Sequence, residues 1–243
     1  MPSVQLTSIL KSVDEKCISV VNKMKEDVIS SALKELDGSI ENCCIPSLNE
    51  FLNARKSEPL EWNGCHSLKQ TANQPDRSFI EQTFAIKKCT EAIDYYSNVH
   101  RTELVKNHVI RGYDGCGKSW TMQYCILHAY SKGLFALPTA MMSNRYFFLG
   151  TKHIDWLFCL PFEKNHSAYK TAESAIAMLM QKPERINILR ILDVLFIDEI
   201  GQVQAELLSV IDIVLRRIRD SQVVFGGLLL IATMDHTQLQ PVK

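Results

Sequence analysis

Apolar residues at Leu6, Leu10, Val13, Cys17, Val20 and Met24 recur at alternating steps of four and three, which is the spacing of one face of a helix. The pattern breaks at Asp27, where Val28 takes over, so an ordinary packed helix is favoured over a coiled-coil partner, and Gly38 ends it. Residues 57–77 then mix polar side chains with Pro59, Gly64 and Pro75 and follow neither hydrophobic period, as a surface connection does. The domain boundary is placed there, giving a helical N-terminal region and linker over 1–76 and a second domain over 77–243. The run F-I-E-Q-T-F-A-I-K-K-C-T-E-A-I predicts a helix, and short apolar runs predict strands at His108–Arg111, Leu134–Leu137, Leu192–Ile197 and Leu228–Ala232. Strands that are nearly all apolar and alternate with helical stretches predict an α/β fold, its parallel sheet covered on both faces.

Composition changes this picture little. A hydrophobic share of 46% with 22% charged residues over 243 residues is ordinary for a globular protein, and 27 basic residues balance 27 acidic ones. No overall positive field therefore advertises nucleic acid or an anionic membrane, although a local basic groove is still compatible. The eight cysteines show no C-x-x-C pairing and read as reduced thiols. Neither a secretory leader nor a membrane-spanning run is visible, which predicts a soluble intracellular protein without a membrane partner. The histidines have no metal-ligand spacing, and no zinc is assigned.

The candidate chemistry begins where the first strand ends, at G-Y-D-G-C-G-K-S over residues 112–119. Strand, glycine loop and helix in that order aim several backbone N–H groups and the positive end of a helix dipole at one small volume, which suits a polyphosphate. Gly112, Gly115 and Gly117 permit close backbone approach, Lys118 brings a cation to the outer phosphates, and the Ser119 hydroxyl can ligate magnesium. Tyr113, Asp114, Cys116 and Trp120 complete the loop and the first helical turn. ATP and Mg2+ are the expected cofactors. The buried run ending F-I-D-E delivers Asp198 and Glu199 to the carboxyl edge of the sheet. Asp198 is expected to hold the metal and Glu199 to activate an attacking water. Cys116, close to Lys118 and a helix N-terminus, is expected to be a reactive thiol that ATP shields. Trp156, Phe158 and Phe162 suit base stacking or, more commonly, core packing. Beyond the last strand, Asp235 and Gln238 lie where a polar side chain can meet the terminal phosphate.

In order and spacing, F-I-E-Q, G-Y-D-G-C-G-K-S, F-I-D-E-I and G-G-L-L-L-I-A-T-M-D-H-T-Q-L-Q-P-V resemble the Pif1-like branch of superfamily 1 DNA helicases over residues 77–242. The resemblance implies a RecA-like P-loop NTPase domain, with Gln82 contacting adenine, Lys118 the phosphates, Ser119 and Asp198 magnesium, Glu199 the attacking water, and Gln238 coupling hydrolysis to movement. It also implies single-stranded DNA as partner, with Thr139 and His153 at contact positions, a setting in DNA repair or recombination, and a nuclear location in a eukaryote. Met234 and Gln240 depart from the family's glycine and proline. Such helicases use a second RecA-like domain, whose arginine contributes on the order of a thousandfold or more to turnover. The resemblance therefore implies that this chain hydrolyses ATP poorly unless a second motor domain from a longer product or another chain completes it. Two alternatives stay open: a nucleotide- or DNA-binding fragment or regulatory subunit without unwinding, and an AAA+ ATPase with Thr233 as polar sensor.

Overall fold

Five parallel strands form one sheet in the order β1-β5-β4-β2-β3. They are β1 (His108–Arg111), β2 (Ala136–Ala140), β3 (Lys152–His153), β4 (Val194–Asp198) and β5 (Leu229–Met234). The structure is a computed structural model that describes residues 19–32, 78–99, 105–141, 152–161 and 167–235. The helices in chain order are α1 (19–32), α2 (Ser78–Val99), α3 (Lys118–Ser131), α4 (Ile154–Phe158), α5 (Ala168–Leu179), α6 (Pro183–Ile191) and α7 (Ala205–Ile218). The α/β fold expected from the sequence is therefore present, with β5 inserted between the strand that feeds the glycine loop and the strand that ends in Asp198.

Every residue of β2 and β4 is buried, which explains why these strands read as unbroken apolar runs. β1 has the predicted bounds, whereas β2, β4 and β5 lie slightly C-terminal to the predicted strands, and the backbone bonds give the reason. Leu134 N–H still donates to Ala129 O at 3.0 Å, so the chain is closing α3 at the position where a strand was expected. Leu192 N–H likewise donates to Ile188 O at 2.9 Å as the last bond of α6, and Leu228 N–H to Phe225 O. These strands instead run on past their predicted ends, to Ala140 in β2, Asp198 in β4 and Met234 in β5. The two-residue β3 carries no periodic signal and was not anticipated.

Among the described residues one large buried cluster forms the core, and Ile86 and Tyr124 form a second, small one. Phe196, Leu195, Leu137 and Ile231 are buried from the sheet, Met122 and Ile126 from α3, and Val214 and Leu215 from α7. Replacing Phe196 by alanine would cost about 3–5 kcal/mol, the usual penalty for emptying an aromatic site. Helix α1 joins this same core through Val21, Met24, Val28, Ile29 and Ala32. The break noted at Asp27 is where its inward face passes from Met24 to Val28, and Lys25 lies over the Phe135 ring at 4.7 Å. The boundary assigned to 57–77 lies outside the described residues.

The G-G element is a tight turn. Phe225, Gly226 and Gly227 all have positive φ, and a Cβ on Gly226 would lie 2.8 Å from Leu215 O and 2.7 Å from Arg219 Cδ. Arg219 fastens the region, donating from Nε to Gly226 O at 2.8 Å and from Nη1 to Leu192 O at 2.6 Å and Leu189 O at 3.0 Å. The turn thereby starts β5 in register with β4, Leu229 opposite Val194. Among the described residues no helix is long and apolar enough to cross a membrane.

Candidate nucleotide site

Three strand ends meet at the carboxyl edge of the sheet. The β1–β5 register pairs Arg111 with Met234, and Gly112 N–H continues the ladder by donating to Met234 O at 3.1 Å. The β4–β5 register pairs Ile197 with Ala232, which leaves Asp198 beside Thr233. The glycine loop, Asp198 and Glu199, and Asp235 are thus held together by backbone pairing, although 117 positions separate Lys118 from Asp235.

Within the loop, Gly117 is in the left-handed region, φ 77°, and caps α3, whose first residue is Lys118. A Cβ there would meet Gln82 Nε2 at 2.6 Å, so the backbone angle favours glycine and any side chain would displace the Gln82 amide. Gln82 Nε2 donates to Cys116 O at 2.8 Å. The glutamine that the resemblance assigns to adenine thus rests directly on the phosphate loop. Lys118 Nζ donates to Gly112 O at 2.9 Å and Tyr113 O at 2.7 Å, and it approaches Asp235 Oδ2 at 3.4 Å. Both side chains of this ion pair are buried. Tyr113, Asp114, Gly115 and Cys116 are exposed, whereas Trp120 packs against Ile86 of α2 and Tyr124. The Trp120 ring therefore belongs to the α2–α3 contact.

Asp198 and Glu199 are both buried, at 2% and 6% exposure. The Thr233 hydroxyl donates to Asp198 Oδ1 at 2.5 Å and accepts from Glu199 N–H at 2.9 Å. Asp198 Oδ2 is buried without a hydrogen-bond partner among the described residues. A carboxylate oxygen in that condition is expensive to bury, and a divalent cation is one group that would satisfy it. The residues present therefore fit magnesium, which Asp198 and Ser119 would hold. Glu199 has left-handed backbone angles, φ 55° and ψ 53°, an uncommon state for a residue with a Cβ and one that recurs at functional sites. Its Oε2 accepts from Gln202 Nε2 at 2.7 Å.

Not every assigned residue joins this cluster. Thr139, in the interior strand β2 between β4 and β3, is fully buried and donates its hydroxyl to Phe196 O at 2.9 Å. The side chain expected to contact DNA is thus interior in this structure. His153 caps α4, with Nδ1 accepting from Asp155 N–H at 3.2 Å and Nε2 2.7 Å from Met141 O. Both ring nitrogens are thus engaged within the protein. Phe158 is core, and Trp156 is covered by the Arg185 guanidinium at 4.2 Å. Gln238 and Phe162 lie outside the described residues.

Sequence reasoning did not find the pairing of Lys118 with Asp235, the Gln202 contact to Glu199, or the Thr233 bridge. The one available signal was a threonine next to the end of an otherwise apolar strand.

A five-stranded parallel sheet with a glycine loop after one strand and an acidic pair after another defines a P-loop nucleotide-binding domain of RecA-like form. The chain belongs to the PIF1-like helicase family, which matches residues 85–243, more than half of the sequence. Among solved structures it is similar to the Pif1 helicase of Candida albicans, at 22% identity and a TM-score of 0.56 over 67% of this chain and 33% of that one. It is also similar to a Bacteroides Pif1 solved bound to single-stranded DNA, at 25% identity and a TM-score of 0.45 over 63% of this chain and 33% of that one. The chain thus spans about a third of the length of these structures. No curated protein sequence matches it.

Proposed function

We propose that this domain binds ATP with magnesium through Gly112–Ser119 and hydrolyses it as part of a DNA helicase motor that grips single-stranded DNA. The observation that carries the reading is the meeting of Lys118, Asp198 and Glu199 at one sheet edge, with a buried Asp198 oxygen left unsatisfied. The loop amides and the N-terminus of α3 bind the phosphates. Lys118, now bonded to the carbonyls of its own loop, exchanges those acceptors for phosphate oxygens of higher charge. Magnesium, when bound, neutralises charge on the phosphate oxygens. Glu199 orients the attacking water and takes its proton. Family membership supports single-stranded DNA as the partner, and we place the coupling glutamine at Gln238.

Two substitutions separate binding from turnover. Lys118→Ala should weaken ATP binding roughly 10- to 150-fold, the equivalent of a charge-assisted hydrogen bond. Glu199→Gln should keep binding and lower kcat by about 10²–10⁴, the usual contribution of a general base. Calorimetric titration with ATP and phosphate-release assays with and without single-stranded DNA measure both. A wild-type chain that binds no ATP would sink the proposal.

One observation favours a second reading, nucleotide binding without turnover. The Gln202 amide already occupies one oxygen of the residue expected to act on water. Saturable ATP binding with no phosphate release, even in the presence of single-stranded DNA, would select that reading.

A further inference from the structure

We propose that Thr233 is a positioning residue for the metal-dependent chemistry of this site, an inference that rests on the function proposed above. Thr233 is fully buried at the polar end of β5, where a hydroxyl is costly unless both its proton and a lone pair are used. Both are used. The single proton goes to Asp198 Oδ1 at 2.5 Å, and the oxygen accepts from Glu199 N–H at 2.9 Å.

The first bond decides which carboxylate oxygen is occupied. With Oδ1 tied to β5, Oδ2 is the oxygen left for a cation, and rotation of the carboxylate would break the bond to Thr233. The second bond anchors the main chain of Glu199, which is held at φ 55° and ψ 53°. One hydroxyl therefore sets the metal-facing oxygen and the backbone from which the water-activating side chain departs.

Its position also joins these carboxylates to the phosphate loop. Met234, the next residue, accepts Gly112 N–H at 3.1 Å, and Asp235 pairs with Lys118. The end of β5 thus holds the loop, its lysine and both acidic residues within three consecutive positions. Side chains that orient the direct ligands of a metal typically govern affinity by about 10- to 100-fold, and Thr233 stands in that relation to Asp198.

The test uses Thr233→Val, which keeps the shape and removes the hydroxyl, and Thr233→Ser, which restores it. Affinity for the non-hydrolysable ATP analogue AMP-PNP is measured by titration with Mg2+ and again in EDTA. In EDTA all three proteins should bind alike. The gain in affinity on adding Mg2+ should shrink by about 10- to 100-fold in Thr233→Val and persist in Thr233→Ser.

An unchanged Mg2+ gain in Thr233→Val overturns the inference while leaving the proposed function intact. Equal weakening with and without metal also overturns it, because that is the mark of a general structural role. If the valine variant shows no cooperative melting, Thr233→Ala, which also lacks any donor or acceptor on the side chain, replaces it, and a full Mg2+ gain there overturns the inference equally. A wild-type chain that binds AMP-PNP in neither condition removes the functional reading on which the inference stands.

Discussion

Cys116 shows how a single loop position can report on the whole site. It is exposed, its carbonyl accepts the Gln82 amide, and its neighbour Gly117 caps the helix that begins with Lys118. A phosphate drawn into the loop would cover the thiol. N-ethylmaleimide should therefore label Cys116 in the free protein, label it at least about tenfold more slowly under saturating ATP, and abolish ATP binding once attached, because the adduct fills the space between loop and ligand. Cys89, Cys125 and Cys159 are buried and should react far more slowly, so peptide mapping by mass spectrometry assigns the label. Equal labelling rates with and without ATP would contradict the placement of phosphate in this loop. The residues legible in the sequence were those whose backbone context announces them. Lys118 follows its glycines, and Asp198 and Glu199 end a buried run. The environment of Thr139 was not legible, because a resemblance carries a position but not the neighbours that bury its side chain and accept its hydroxyl.

At the scale of elements, the G-G turn is the sharpest case of a conformation dictated by its surroundings. Gly226 combines φ +62° with two close neighbours, Leu215 O at the end of α7 and Arg219 Cδ, whereas Gly133 has φ +74° with nothing near a Cβ. Alanine at Gly133 therefore incurs only the left-handed backbone penalty, about 1–2 kcal/mol. Alanine at Gly226 incurs that penalty plus overpacking, typically a further 1–3 kcal/mol, because a backbone carbonyl cannot swing aside. Urea denaturation of the two variants should rank Gly226→Ala clearly below Gly133→Ala. Equal midpoints would mean that α7 shifts freely against the turn. Elements were legible where a helical run, the glycine-loop motif or an unbroken apolar run announced them, as in α2, α3 and β4 respectively. Their edges were not, because the apolar residues Leu134, Leu192 and Leu228 are spent on helix and turn bonds before each strand begins. The two residues of β3 are too few to show a period at all.

For the molecule as a whole, acid should loosen the fold through histidines that are favoured neutral. His128 on α3 is largely buried, with Nε2 2.9 Å from Asp94 Oδ1 on α2, while Lys132 reaches the same oxygen at 3.1 Å. Burial pushes its pKa below the ordinary 6.5, and the pull of Asp94 in the opposite direction does not compensate. His108 on β1 is lowered as well, by burial first and then by the charges of Lys88 and Lys106. In both cases the unfolded chain binds the proton more tightly than the folded one. Their contribution to stability is therefore complete above the unfolded value near 6.5 and declines as pH falls through the lowered folded values. Asp155 runs the other way. Burial raises its carboxyl above 3.8, so its contribution is lost as pH rises through the folded value and returns only toward the acid end. Between pH 7 and 5 the histidine effect should accordingly dominate, and the urea midpoint should fall steadily over that interval. His128→Gln keeps an amide beside Asp94 without a titrating proton and should flatten the profile. Because α2 carries Gln82 and α3 begins at Lys118, the same contact braces the phosphate loop. ATP affinity should then weaken over the same pH range in the wild type and less so in His128→Gln, a difference that titrations at pH 7.5 and 5.5 would reveal. A midpoint and an affinity that both stay level to pH 5 would show that protonated His128 is fully accommodated by Asp94.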